Sequence, residues 1–293
     1  MRAAKAGLGG GGLIFLLILL QGCAGPAPQP GVGLRQEALK ANNRGYQYYA
    51  WRDLELAQEK FSQALKINRL IDHTPGIAAN LNNLGAVYQE QGQYDQAVKC
   101  YQEALELNRQ QHDQPGIVET LNNLGTVWQA QGNLKQAAAA YSQAQALAQS
   151  PGLEPLLALT LTHLGDVARQ QQCFDEAVDL YQQSLQLNTD HRVDRGRAVS
   201  LERLGRTYIQ LEDFAQAEIA LISALQEFRR LESVTGVIDA LDGLTRLYLA
   251  AGDQAAAQDY GQRLHQLYQA LGQTQKAQEI GLLLKIPDLS SNQ

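Results

Sequence analysis

Cysteine, methionine and tryptophan are nearly missing from this sequence of 293 residues, at three, one and two copies. Three cysteines are too few for a disulfide framework. Charged residues make up only 18% and aromatics 6%. There is no basic excess either: 24 Lys and Arg face 30 Asp and Glu, a net of −6. A nucleic-acid binder needs a basic patch that displaces counterions from phosphates, and this balance argues against one. Only one stretch is apolar enough to enter a bilayer, which argues against a polytopic membrane protein. The length allows one or two ordinary domains.

That stretch lies at the start. Arg2 and Lys5 precede Leu13 to Leu20 (LIFLLILL), and Gln21-Gly22-Cys23 follows. Eight helical residues rise about 12 Å, well short of a hydrocarbon core of roughly 30 Å. Residues 1–22 therefore read as a signal peptide. Cys23 directly after an apolar run and Gly22 resembles the lipobox of bacterial lipoproteins, with Gln21 where that motif prefers a small residue. An ordinary signal peptide with an incidental cysteine is the alternative. The resemblance implies cleavage before Cys23 and acylation of it, palmitate included. Ala24 in place of Asp implies the outer membrane, facing the periplasm, in a Gram-negative cell. Several acyl chains on one residue make a stable anchor. Loss of Arg2 and Lys5 leaves 22 basic against 30 acidic residues, a net of −8. Anionic lipid repels such a body, so the anchor must hold it. Ala24 to Gly33 (AGPAPQPGVG) completes a tether over 23–33 that spans at most about 30 Å.

From there a forty-residue period runs without insertion. Leu81-Asn82-Asn83-Leu84-Gly85 returns as Leu121-Asn122-Asn123-Leu124-Gly125, Leu161-Thr162-His163-Leu164-Gly165 and Leu201-Glu202-Arg203-Leu204-Gly205. Leu241-Asp242-Gly243-Leu244-Thr245 is a weaker copy, and Ala41-Asn42-Asn43-Arg44-Gly45 lies forty residues before the first. The frames are 41–80, 81–120, 121–160, 161–200, 201–240 and 241–280. Ala57, Ala97, Ala137, Ala177, Ala217 and Ala257 recur, as do Phe61, Tyr101, Tyr141 and Tyr181. Ile77, Leu81, Leu84, Val87 and Tyr88 mark one face of a helix over 77–91, and Tyr94, Ala97, Val98, Tyr101, Ala104 and Leu105 mark another over 94–108. Pro75-Gly76 and Pro115-Gly116 are expected to break the chain between units. One pair cannot bury its own apolar face, so neighbours must stack.

Leu84, Gly85, Tyr88, Ala97, Tyr101 and Ala104 sit at the spacing of the tetratricopeptide repeat, and the long unit resembles Pins/LGN-type adaptors. The resemblance covers about 240 residues. It implies an all-α fold: a right-handed α-solenoid of about six helix pairs over 34–286, capped by a helix over Thr274 to Ile286 and followed by a tail over 287–293. Degraded end units suit caps.

Catalytic chemistry is not indicated. Gly7, Gly9 and Gly12 match G-x-G-x-x-G, yet no strand precedes them, so no nucleotide site is assigned. None of the five histidines has zinc-motif spacing. Cys100 and Cys173 lie two units apart, roughly 20 Å at ordinary helix spacing, so two free thiols are expected, Cys100 at least partly buried. No enzyme, cofactor or metal is expected, and no nucleic-acid partner.

Partner selection falls to the concave face, which the first helices line in tetratricopeptide arrays. Asn82, Asn83, Gln89, Asn122, Asn123, Thr126 and Gln129 stand opposite the apolar stripe of units two and three. Each amide offers a donor and an acceptor, as an extended peptide backbone does. Further along come His163, then Arg169, Arg203, Arg206 and Arg246. Those arginines either pair a partner's carboxylates or are neutralised by Asp166, Glu202 and Asp242. The reading is a lipid-anchored, non-enzymatic adaptor that holds a protein or peptide segment of unknown identity in its groove. Its alternatives are a scaffold that self-associates through Leu282, Leu283 and Leu284, or a regulatory subunit of an envelope enzyme complex.

Overall fold

A computed structural model describes residues 30–284. Cys23, the leader, most of the tether and the tail lie outside the described residues. Thirteen helices and no strand are found among the described residues: α1 (Pro30–Ala50), α2 (Leu54–Leu70), α3 (Thr74–Glu90), α4 (Tyr94–Gln110), α5 (Gln114–Ala130), α6 (Leu134–Ala148), α7 (Glu154–Gln170), α8 (Phe174–Asp190), α9 (Asp194–Gln210), α10 (Phe214–Arg230), α11 (Val234–Ala251), α12 (Gln254–Ala270) and α13 (Thr274–Leu284). The fold is an all-α helical repeat solenoid, each helix packed on its neighbours in sequence.

The expected period holds, and its phase needs correcting. Helix pairs begin at Thr74, Gln114, Glu154, Asp194 and Val234, so a frame that starts at Leu81 cuts a first helix in two. Pro75 and Pro115 start helices rather than separate units. Each sits in the first turn, where its missing N–H would have no partner anyway. Likewise α1 begins at Pro30, inside the stretch read as tether.

Turns recur every twenty residues with one left-handed residue each. Glycine fills that place at Gly92, Gly132, Gly152, Gly252 and Gly272, while Arg52, Asp72, His112, Gln172, Arg192, Glu212 and Glu232 fill it elsewhere. At Gly92 the closure is a Schellman motif: Gln93 N–H donates to Tyr88 O at 2.8 Å and Gly92 N–H to Gln89 O at 3.0 Å. Asp53, Asp113, Asp213, Ser233 and Asp253 then cap the next helix.

Packing within a pair explains the glycine of each Leu-Gly. Gly85, Gly125 and Gly165 lie flat on the buried rings of Tyr101, Tyr141 and Tyr181, and an added Cβ would penetrate those rings. Phe61 takes that place under Gly45 and Leu221 under Gly205. Unit six carries Gly261 there, and Leu284 of α13 fills the space instead. Leu284 is thus core, 1% exposed, and drops out of the apolar surface expected of the cap; Leu282 and Leu283 stay exposed at 81% and 49%.

Candidate functional site

Consecutive first helices touch one another from α3 through α5, α7 and α9 to α11, and no consecutive pair of second helices approaches as closely. The first helices therefore form the shorter, inner side of the solenoid. Three rows of partly open side chains run along it. Row one is Leu39, Ala79, Glu119, Leu159, Val199 and Asp239; row two Asn43, Asn83, Asn123, His163 and Arg203; row three Tyr46, Ala86, Thr126, Asp166, Arg206 and Arg246.

The amide residues divide between these rows and the joints between units. Asn82 donates through Nδ2 to Thr120 Oγ1 at 3.0 Å, and Asn122 in the same way to Thr160 Oγ1 at 2.9 Å. Asn122 is only 2% exposed, so its place in the groove is corrected: it ties α5 to α7 and no partner can reach it. Asn83 donates to Asn42 Oδ1 and accepts from the Tyr46 hydroxyl, each at 2.9 Å. Gln89 and Gln129 accept from the hydroxyls of Tyr101 (3.4 Å) and Tyr141 (3.1 Å). Burial holds both phenols protonated well above their usual range. Thr126 donates to Asn123 O at 2.8 Å. The Asn123 side chain, half-buried in row two, keeps its donor and acceptor, and so does exposed Asn43.

Arg169, Asp166, Arg203, Glu202, Arg206, Asp242 and Arg246 alternate in sign across α7, α9 and α11. Arg169 lies 3.9 Å from Asp166, Arg203 3.0 Å from Asp166 and 2.7 Å from Glu202. Arg206 pairs with Glu202 through Nε and lies 3.1 Å from Asp242, which Arg246 reaches at 2.9 Å. The Glu202 side chain is 3% exposed. Burial alone would lower the Arg203 pKa, but Asp166 and Glu202 outweigh it and raise it. The three acids offset all but one of the four arginine charges, and Arg169 Nε and Arg203 Nε are left without a hydrogen-bond partner among the described residues, so the wall carries a small net positive charge rather than a row of free arginines. His163 stacks on Tyr141 with ring centroids 5.0 Å apart. Burial lowers its pKa, Asp166 opposes that and Arg203 adds to it, so the ring is a neutral packing group.

Three features of the wall escaped sequence reasoning: Leu39 and Leu159, which stand 59% and 45% exposed in row one, Glu119 between them, and Tyr46. Comparing row positions forty apart would have found them. Cys100 is partly buried, with its thiol pKa raised by that burial, and Cys173 is exposed; both are free. Among the described residues no cluster of three His, Cys, Asp or Glu is placed to hold a metal ion, and no helix is long and apolar enough to cross a membrane.

Comparison with known proteins agrees with this geometry. The tetratricopeptide repeat model matches residues 36–110 and 76–150, and the MalT-like TPR region matches 117–281. No curated protein matches. Among solved structures, BtubC (BKLC) from P. vanneervenii is similar at 20% identity and a TM-score of 0.66, over 75% of this chain and 92% of that one. A Rap protein complexed with Competence and Sporulation Factor is similar at 14% identity and 0.64, over 85% and 74%. Pseudomonas aeruginosa pilF is similar at 21% and 0.56, over 84% and 98%. At these identities the likeness is one of fold. With the MalT-like TPR match covering more than half of the chain and the first repeats matched as well, this protein belongs to the tetratricopeptide repeat family.

Proposed function

We propose that this protein is an interaction scaffold whose partner lies along the inner wall from α1 to α9. The carrying observation is the contrast between the halves of that wall. Toward the N-terminus Asn43 and Asn123 keep open amides beside exposed Leu39, and Leu159 stands exposed on α7, where the second half begins; from there to α11 the arginines lie against Asp166, Glu202 and Asp242 of the same chain. A surface with free hydrogen-bonding groups beside exposed apolar ones is the surface that a partner completes. The Rap protein seen with Competence and Sporulation Factor supports the reading that a helical array of this shape is used for binding. Nothing in the wall calls for catalysis, and the reading is non-enzymatic.

The anchor belongs to the same reading. Acylated Cys23, seven residues before α1, holds the scaffold in the bacterial envelope, in the outer membrane and facing the periplasm if the cell is Gram-negative. Cys23→Ala then moves the protein from the membrane fraction to the soluble one. A Cys23→Ala protein that stays membrane-bound contradicts the anchor. For the wall, Asn123→Trp is expected to remove co-purifying protein, while Lys99→Trp on the outer face of α4 keeps it. Equal recovery from both variants contradicts the scaffold reading.

A further inference from the structure

Two clefts on the inner wall occupy the same place in the repeat, three units apart. The larger, about 530 Å³, lies between α1 and α3, with Leu39 and Ala79 as walls beside Asn68 and Gly76. The other, about 300 Å³, lies between α7 and α9, where Leu159, Val199, Asn188 and Gly196 stand in those four positions, each 120 residues on. Gly76 and Gly196 pack closely on Asn68 and Asn188 at the floor of the clefts, as Gly116 does on Asn108. In the two units between, the leucine position holds Ala79 and Glu119. Large apolar side chains therefore stand exposed twice on a polar wall, at one register.

The charges around the clefts are ordered as well. Arg35 rims the first and Arg195 the second. Glu119 stands between them in row one; partial desolvation of its carboxylate and the nearby Asp113 raise its pKa, and a cation brought to it would relieve both. At about 9 Å per unit, the usual spacing of packed helices, three units set the clefts roughly 27 Å apart along the wall. That matches about eight residues of extended chain or about 18 of helix.

We infer that the two clefts are paired anchor sites for one polypeptide segment of a partner, which seats a large apolar side chain in each and a lysine or arginine over Glu119 between them. The inference rests on the inner wall being the partner surface, and names the chemistry that surface selects.

A random 24-residue peptide library displayed on phage and selected on the full chain tests it. Enriched peptides are expected to carry two large apolar residues about eight or 18 apart, with Lys or Arg between. Leu39→Ala and Leu159→Ala each weaken such a peptide about tenfold and together about a hundredfold, because distant anchors add. Both leucines are exposed, so circular dichroism should be unchanged. Peptides lost with Asn123→Trp but indifferent to both leucine changes overturn the paired anchors and leave the wall intact. Peptides indifferent to Asn123→Trp as well overturn the wall itself. No enrichment overturns the anchors.

Discussion

Replacing Glu202 by Gln removes the central anion of the charge ladder on α7, α9 and α11. In the native chain four arginines face Asp166, Glu202 and Asp242, a local excess of one positive charge; the variant raises it to two. Breaking a fully buried ion pair by removing one partner costs about 3–5 kcal/mol. Here Arg203 and Arg206 keep side-chain exposures of 32% and 26%, and each retains a second acid, so we expect about 1–2 kcal/mol. In a solenoid each unit depends on its neighbours alone, so the loss should stay local. Hydrogen exchange followed by mass spectrometry should show faster exchange in α9 and the facing parts of α7 and α11, with α3 to α5 unchanged. The variant should also gain weak binding of a Glu-rich peptide that the native chain does not show. Arg246→Gln is the contrast: that side chain is 60% exposed and pairs with Asp242 alone, so its effect should stay below about 0.5 kcal/mol. Unchanged exchange in α9 together with unchanged anion binding would refute the ladder.

Further outcomes follow from the same contacts. Gly125→Ala drives a methyl into the Tyr141 ring and should destabilise units three and four by about 1–3 kcal/mol in urea titration, whereas Gly132→Ala meets open space and pays only for its left-handed backbone, about 1 kcal/mol. Leu284→Ala empties the space over Gly261, and α12 and α13 should lose protection first, with a local destabilisation of about 2–4 kcal/mol. His163 has a folded pKa below its unfolded value of about 6.5, so below that value the unfolded chain binds the extra proton. Its contribution is full above pH of about 6.5 and is lost as pH falls toward the folded pKa. Stability of the α7 region should therefore fall as pH drops below about 6.5, and His163→Gln should flatten that dependence.

The period was legible because no insertion disturbs it and because small and aromatic residues return at the same places. Helix phase was harder to read. Pro75-Gly76 looks like a break, yet Pro at a first turn and a glycine packed on Asn68 start α3, and a left-handed Asp72 makes the turn without glycine. At the site, adjacent residues took different fates. Asn82 and Asn83 lie about 100° apart around a helix, which turns the first to the next unit and the second to the wall. Asn122, aligned with Asn82, is buried for that reason. Whether the arginines were free depended on pairs such as Asp166 with Arg203 and Arg206 with Asp242, which join different helices. No pattern within one helix displays them. Leu39 and Leu159 went unnoticed because each belongs to a helix whose apolar face is elsewhere, and only their common register sets them apart.

Site-specific photo-crosslinking in the native cell tests the inner wall most directly. A crosslinking residue at Asn123 should yield one discrete adduct, identifiable by mass spectrometry, and the same residue at Lys99 on the outer face should yield none. An adduct from Lys99 without one from Asn123 would contradict the proposed surface.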